Sequence, residues 1–417
     1  MRCLFATVGK DAPGVNAAVR AGVRLALRSG MEVYGARRGF LGILNENFHR
    51  FKEADVGNVL GKGGSILGST DFRIRPEDFA TLQQLARSLS QFDLVVASGG
   101  MGIFSILGKL YDTQDLGLAT TMFVPASVEN EFLNPARGFF DESGIRAESV
   151  GADTAANTAI EAVDRLREQS YLSRTVFLVE CVGLKSNYLP IHIGLACGAQ
   201  RVYLPKFPLL SDEERSEIQQ LFGDNFDPNE VDQRELVGWI DRMFKETKKS
   251  YLLVVVPNGI PVLTASIQRD KNGNGANTYD RVVTSMAPFE LTVLRLVDDL
   301  MLHFSGESNV QIRYVVIDDL QLRGVPSLRD RVLGSQYGEA SIEEYLAVVN
   351  EQNIEKRGNL NLIAIEDATS LRWKCFTREE VLPLYQGTKA RAGGLSPLPF
   401  FRQMRGTVSG YRPWATL

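Results

Sequence analysis

Short apolar runs alternate along this chain with segments of helical spacing, and that alternation constrains the fold more than any other feature. Residues 2–8 (RCLFATV), 31–36 (MEVYGA), 93–98 (DLVVAS), 119–125 (ATTMFVP), 175–181 (TVFLVEC) and 251–257 (YLLVVVP) each read as a buried strand. Between them, 15–29 (VNAAVRAGVRLALRS) and 151–168 carry apolar residues at helical spacing. Strands that alternate with helices make a parallel, doubly wound α/β sheet. Ligands of such sheets bind beyond the carboxyl ends of the strands. The turns that matter are therefore 9–14, 99–105, 126–132 and 182–188.

A chain of 417 residues has room for two such domains. With 44% hydrophobic and 23% charged residues it can build ordinary globular cores. A net charge of -4 argues against a general nucleic-acid binder, which carries a basic bias. Cys3, Cys181, Cys197 and Cys375 form no CxxC pair and lie in or near apolar runs, so they read as reduced, buried thiols. His49, His192 and His303 do not cluster, which argues against a histidine metal site. The opening MRCLFATVGKDAPG has too short an apolar run for a signal peptide. No run approaches the ~18 apolar residues of a membrane span. The expectation is a cytoplasmic protein with neither nucleic acid nor membrane as partner.

The segment 206–250 is dense in charge and reads as helices with solvated faces. From about residue 335 the chain offers a helix (SIEEYLAVVNEQ), a strand (LNLIAIE) and a tail with several Gly and Pro residues. The expected division is a first α/β domain over 1–150, completed by 262–300. A second spans 151–261, with the charged insertion 206–250, and is completed by 301–334. Residues 335–417 are left as an extension.

Five motifs then occur in order. They are DAPGVNAAVR (11–20), GGSILGST (63–70), GADTAANTAIEAVDRL (151–166), IHIGLACGAQRVYLPK (191–206), and IQR (267–269) with YDR (279–281). Together they resemble the bacterial phosphofructokinases, which phosphorylate fructose 6-phosphate with ATP or pyrophosphate. The resemblance runs over about residues 1–310. It implies two α/β domains, an active site in the cleft between them, and oligomers whose sites borrow basic residues from a neighbouring subunit.

Phosphoryl transfer needs a phosphate cradle, a metal and a base. The resemblance assigns the donor-phosphate loop to Gly9, Lys10 and Asp11, and to Gly99, Gly100 and Gly102. The family has a second glycine where Lys10 stands. Lys10 either meets the donor phosphate, fills its place, or faces solvent. Met101 stands where the family has a magnesium-supporting Asp, and Ile103 where it has Ser. A thioether is a poor partner for a hard cation, so no metal ligand is assigned and magnesium is expected only of an active enzyme. The family's TIDND, whose first Asp is the base, reads here Ser127-Val128-Glu129-Asn130-Glu131. Glu129 and Glu131 are the catalytic candidates, each a methylene longer than Asp, in a role that demands hydrogen-bond reach.

For the phosphorylated substrate the resemblance assigns Arg174, Arg269, Ser127 and Gly183, and Lys185, one place past the position where the family has Arg, is added as a stand-in charge. Leu184, Asn258, Ser266 and Asp71 stand where the family has Arg, Glu, His and Arg. Ile260 falls where another phosphate-binding Arg is expected, and Arg73 and Arg75 lie close enough to stand in for Asp71. Tyr279, Asp280 and Arg281 read as the start of a helix. The substitutions leave three readings open. One is a weak or inactive binder of a phosphorylated sugar or nucleotide, homo-oligomeric or beside an active homologue. Another is a divergent sugar-phosphate kinase, and the third an assembly protein that uses the fold for its interfaces.

Overall fold

The computed structural model describes residues 1–70, 72, 74–75, 78–112, 118–132, 147–168, 174–183, 186, 188–203, 226–227, 231–247, 249–258, 260, 262–269, 275–282, 290–305, 310–350, 356–365 and 373–381. They fall into two compact units, residues 1–155 with the described residues from 322 on, and residues 156–321.

The first unit opens with β1 (Arg2–Thr7), α1 (Val15–Arg28), β2 (Glu32–Ala36), α2 (Gly39–Leu44) and β3 (Phe48–Arg50). It continues through α3 (Phe79–Leu89), β4 (Leu94–Gly99), α4 (Met101–Asp112) and β5 (Thr120–Pro125), and α5 (Ala152–Glu168) begins in the first unit and runs on as the first element of the second. Strands β1, β2, β4 and β5 pair in parallel, and β3 closes one edge antiparallel. Their side chains alternate between two cores. Cys3, Phe5, Leu94 and Val96 pack with Val15, Val19 and Val23 of α1, while Leu4, Ala6, Val95 and Ala97 pack with Phe104, Leu107 and Leu110 of α4. Burial on both faces is why these strands read as unbroken apolar runs.

The second unit follows with β6 (Arg174–Cys181), α6 (Tyr188–Cys197), β7 (Arg201–Tyr203), β8 (Phe226–Asp227), β9 (Val231–Asp232), α7 (Gln233–Glu246) and β10 (Tyr251–Pro257). Then come β11 (Val262–Arg269), β12 (Gly275–Val282), α8 (Glu290–Phe304), β13 (Val310–Val316) and α9 (Asp318–Gln321). A parallel sheet in the order β13-β6-β10-β7-β8 forms its centre. Within the charged stretch, α7 is not a solvated insertion. Its Leu236, Trp239, Ile240 and Phe244 are buried against Val176, Leu178, Val254 and Val256. Charge fills the outer face of an amphipathic helix whose inner stripe is core. Strands β11 and β12 pair antiparallel, so Tyr279, Asp280 and Arg281 lie in a strand rather than at a helix start.

The chain then returns to the first unit as α10 (Leu328–Val349), β14 (Leu360–Ala364) and β15 (Lys374–Thr377). β14 pairs parallel with β5, and β15 pairs antiparallel with β14. This differs from the expected division in three ways, the first being that residues 322–334, expected to complete the second domain, group with the first unit. Residues 262–300 group with the second unit, and the described part of the expected extension beyond 335 is core of the first. Helix α10 lies tightly on α1: a Cβ on Gly338 would stand 2.2 Å from the Ala18 carbonyl oxygen, and one on Gly334 2.6 Å from that of Gly14. Only glycine allows the two backbones so close.

Candidate functional site

At the carboxyl ends of β1 and β4 the first unit holds a small cleft. Its lining includes Thr7, Lys10, Asp11, Ser65, Ser98 and Gly99. The segment 62–70 is tied in behind it. Thr7 Oγ1 and Ser65 Oγ are 2.7 Å apart, Ile66 N–H donates to Asn16 Oδ1 at 2.7 Å, and Gly9 bridges Thr70. Gly9 sits at φ 91°, a conformation that side chains resist, which lets the chain turn out of β1 into Lys10 and Asp11. Lys10 is exposed while it borders the cleft. Asp11 Oδ1 is buried without a hydrogen-bond partner among the described residues.

The turn from β4 into α4 carries Gly99, Gly100 and Gly102. Ile103 fills the angle between the two loops with hydrocarbon. Its Cγ1 stands 3.5 Å from where a Cβ on Gly9 would lie and 3.1 Å from where one on Gly99 would lie. Opposite, the motif 127–131 folds over the start of α4. Glu131 Oε2 accepts from Met101 N–H at 3.1 Å, and Glu131 Oε1 accepts from the Ser127 hydroxyl at 2.9 Å. Thus the longer of the possible carboxylates reaches the helix end, and Ser127 turns toward Glu131. Glu129 is buried, and its N–H donates to Ser127 Oγ at 3.3 Å. Asn130 adopts φ 54° and accepts from Ser149 N–H at 2.8 Å.

These residues do not fit a magnesium ion. Met101 offers sulfur where the ion needs oxygen, and Glu131 is turned onto the Met101 N–H and the Ser127 hydroxyl. Among the described residues no three His, Cys, Asp or Glu side chains gather so as to hold a metal.

The remaining candidates lie in the second unit. Arg174 opens β6, is exposed, and its guanidinium lies 5.9 Å from the Phe244 ring centre. Gly183 follows β6, where a Cβ would meet Pro190 Cγ at 2.5 Å. Arg269 ends β11 opposite Gly275. Ser266 lies in β11 opposite Thr278. Ile260, which stands where the resemblance puts a phosphate-binding Arg, is a buried core residue. Asn258 N–H donates to the Cys181 carbonyl at 2.7 Å. Arg75 is exposed. Asp71, Arg73, Leu184 and Lys185 lie outside the described residues.

One buried hydrogen-bonded cluster, outside the cleft lining, escaped the sequence reading. The Asp330 carboxylate at the start of α10 accepts from Gly151 N–H and Thr154 N–H at 2.7 Å each, and from the Thr154 hydroxyl. It caps α5 from a different part of the chain. Burial pushes the Asp330 carboxyl up to about 6, against the pull of its three donors and with help from nearby Asp153. Arg329 beside it holds Glu148 through two 2.8 Å bonds, and the Tyr337 hydroxyl donates to the Glu148 carbonyl at 2.7 Å. A signal was present in the sequence: Ser327-x-x-Asp330 is a helix-start pattern, and Ser327 Oγ does accept from Asp330 N–H at 3.2 Å.

Comparison with known proteins sets this geometry in context. Residues 2–345 match the family described as Phosphofructokinase, so the likeness extends through most of α10 rather than ending near 310. The ATP-dependent 6-phosphofructokinase of Coxiella burnetii is 32% identical over 356 residues, covering 85% of this chain and 87% of that protein. That of Aquifex aeolicus is 26% identical over 348 residues, 83% of this chain and 87% of that one. Among solved structures, the phosphofructokinase of Saccharomyces cerevisiae superposes with a TM-score of 0.66 at 21% identity over 98% of this chain. The Pichia pastoris enzyme in the T-state gives 0.62 at 18% over 99%. This chain spans 47% and 38% of those two yeast chains. No helix among the described residues is long and apolar enough to cross a membrane.

Proposed function

The chain belongs to the phosphofructokinase family, and from that premise we propose that it binds a phosphorylated sugar or nucleotide while transferring phosphate slowly or not at all, in a regulatory or subunit role. One observation carries this reading. The start of α4 is occupied by Glu131, with Met101 and Ile103 in the places where the family has Asp and Ser. Removing a single preorganised electrostatic contact costs roughly two to three powers of ten in rate, and here several are replaced together. The cytoplasm, and an oligomer of this chain or with an active homologue, are the setting this role requires.

A second reading, a divergent kinase, is favoured by the names of the relatives and by the two carboxylates kept at 129 and 131. The assembly reading loses its proposed surface to the extent that α10 and β14 are core. A thermal-shift titration with fructose 6-phosphate, ATP with magnesium, ADP and pyrophosphate separates them, because a ligand that prefers the folded state raises Tm. The binder shifts with a phosphorylated ligand and shows no magnesium-dependent donor effect. Magnesium-dependent stabilisation by ATP or pyrophosphate favours the kinase, and no shift with any ligand favours assembly.

A further inference from the structure

The start of α4 is where a parallel α/β sheet offers anions its best site: free N–H groups at the positive end of a helix, beyond the end of a strand. In this chain that position already holds an anion. Glu131 spans 30 residues of sequence to accept from Met101 N–H and takes its second bond from Ser127. The extra methylene relative to Asp supplies the reach. Around a Cβ built on Gly100, Glu131 Oε1 is the nearest atom, at 3.1 Å, whereas Gly102 faces open space. The helix end is therefore accessible, and what lies against it is the carboxylate. In the cleft lined by Gly99, the residue before Gly100, Asp11 Oδ1 is buried without a partner among the described residues, and Lys10 is the bordering cation. A phosphate entering at the helix end would have to displace the Glu131 carboxylate.

We propose that Glu131 is a resident anion that closes the donor side of the cleft to phosphate. This rests on the weak-binder reading and narrows it: the ligand retained is a sugar phosphate taken up elsewhere in the molecule, and polyphosphates are excluded here. On this account Glu131 is an inhibitory group rather than a catalytic one.

The test is isothermal titration of the full chain with pyrophosphate, without metal, for the wild type, Glu131→Gln, Glu131→Ala and Ile103→Ser. Wild type is expected to bind weakly at millimolar pyrophosphate. Both Glu131 variants should bind at least about tenfold more tightly. If Glu131→Ala fails to fold, Glu131→Gln decides alone, since its amide oxygen can still accept from Met101 N–H while the charge is gone. Equal affinity in wild type and Glu131→Gln overturns the proposal, and so does Ile103→Ser gaining as much with Glu131 intact. A parallel titration of wild type with fructose 6-phosphate keeps the two ideas apart. Absence of that binding removes the sugar-phosphate reading, while the pyrophosphate series still decides the role of Glu131.

Discussion

Asp330 shows how a single side chain ties distant stretches of sequence together, here α10 to the start of α5. Its carboxyl is raised above its unfolded value of 3.8 to about 6, mainly by burial. A raised acid binds its proton more tightly in the folded state, so its contribution is fully present below the unfolded value. It is lost as pH rises through about 6, by up to about 3 kcal/mol. The Tm gap between wild type and Asp330→Ala is therefore expected to be larger at about pH 5 than at about pH 7.5. A gap independent of pH would show that the carboxyl does not titrate in this window. At this scale the sequence was half legible. The substitutions at Lys10, Met101 and Ile103 are visible as residue types. The partners of Glu131 and Asp330 are not, because backbone N–H groups 30 and 176 residues away are brought to them by tertiary structure.

At the scale of elements, the α1–α10 contact is the most exacting. Gly22 and Gly338 face each other closely enough that a Cβ on Gly22 would stand 3.0 Å from the Gly338 carbonyl oxygen. Gly338→Val is predicted to cost at least about 1–3 kcal/mol, as overpacking does, read as a lower urea midpoint with an unchanged slope. A variant as stable as wild type would mean that the helices can separate without loss. Strands β1, β2, β4, β5, β6 and β10 were legible because their burial leaves long apolar runs, whereas β13, with a mostly half-exposed pattern, and the short β3, β7 and β8 leave none. Helix α7 was legible as a helix with a solvated face, but its charge density hid the stripe of four buried residues that makes its other face core. The β11–β12 pair was misjudged because the resemblance at YDR was read as a helix start, whereas these residues lie in strand β12.

For the molecule as a whole, the fold class was readable from the alternation of strands and helices, but the path of the chain was not. Apolar patterning identifies an element without saying which sheet it joins. Helix α10 and β14 return to the first unit, so a chain ending at Val325 is predicted to lose cooperative unfolding of that unit, followed by far-UV circular dichroism. Retention of a sharp transition would make the returning segment dispensable. The central claim, that the fold is kept while the donor side is closed, is tested most directly by rapid-quench phosphoryl transfer from labelled ATP to fructose 6-phosphate with magnesium. The account predicts product no faster than in buffer, or slower by orders of magnitude than the roughly 1–100 s⁻¹ of working kinases. Turnover within that range would contradict it.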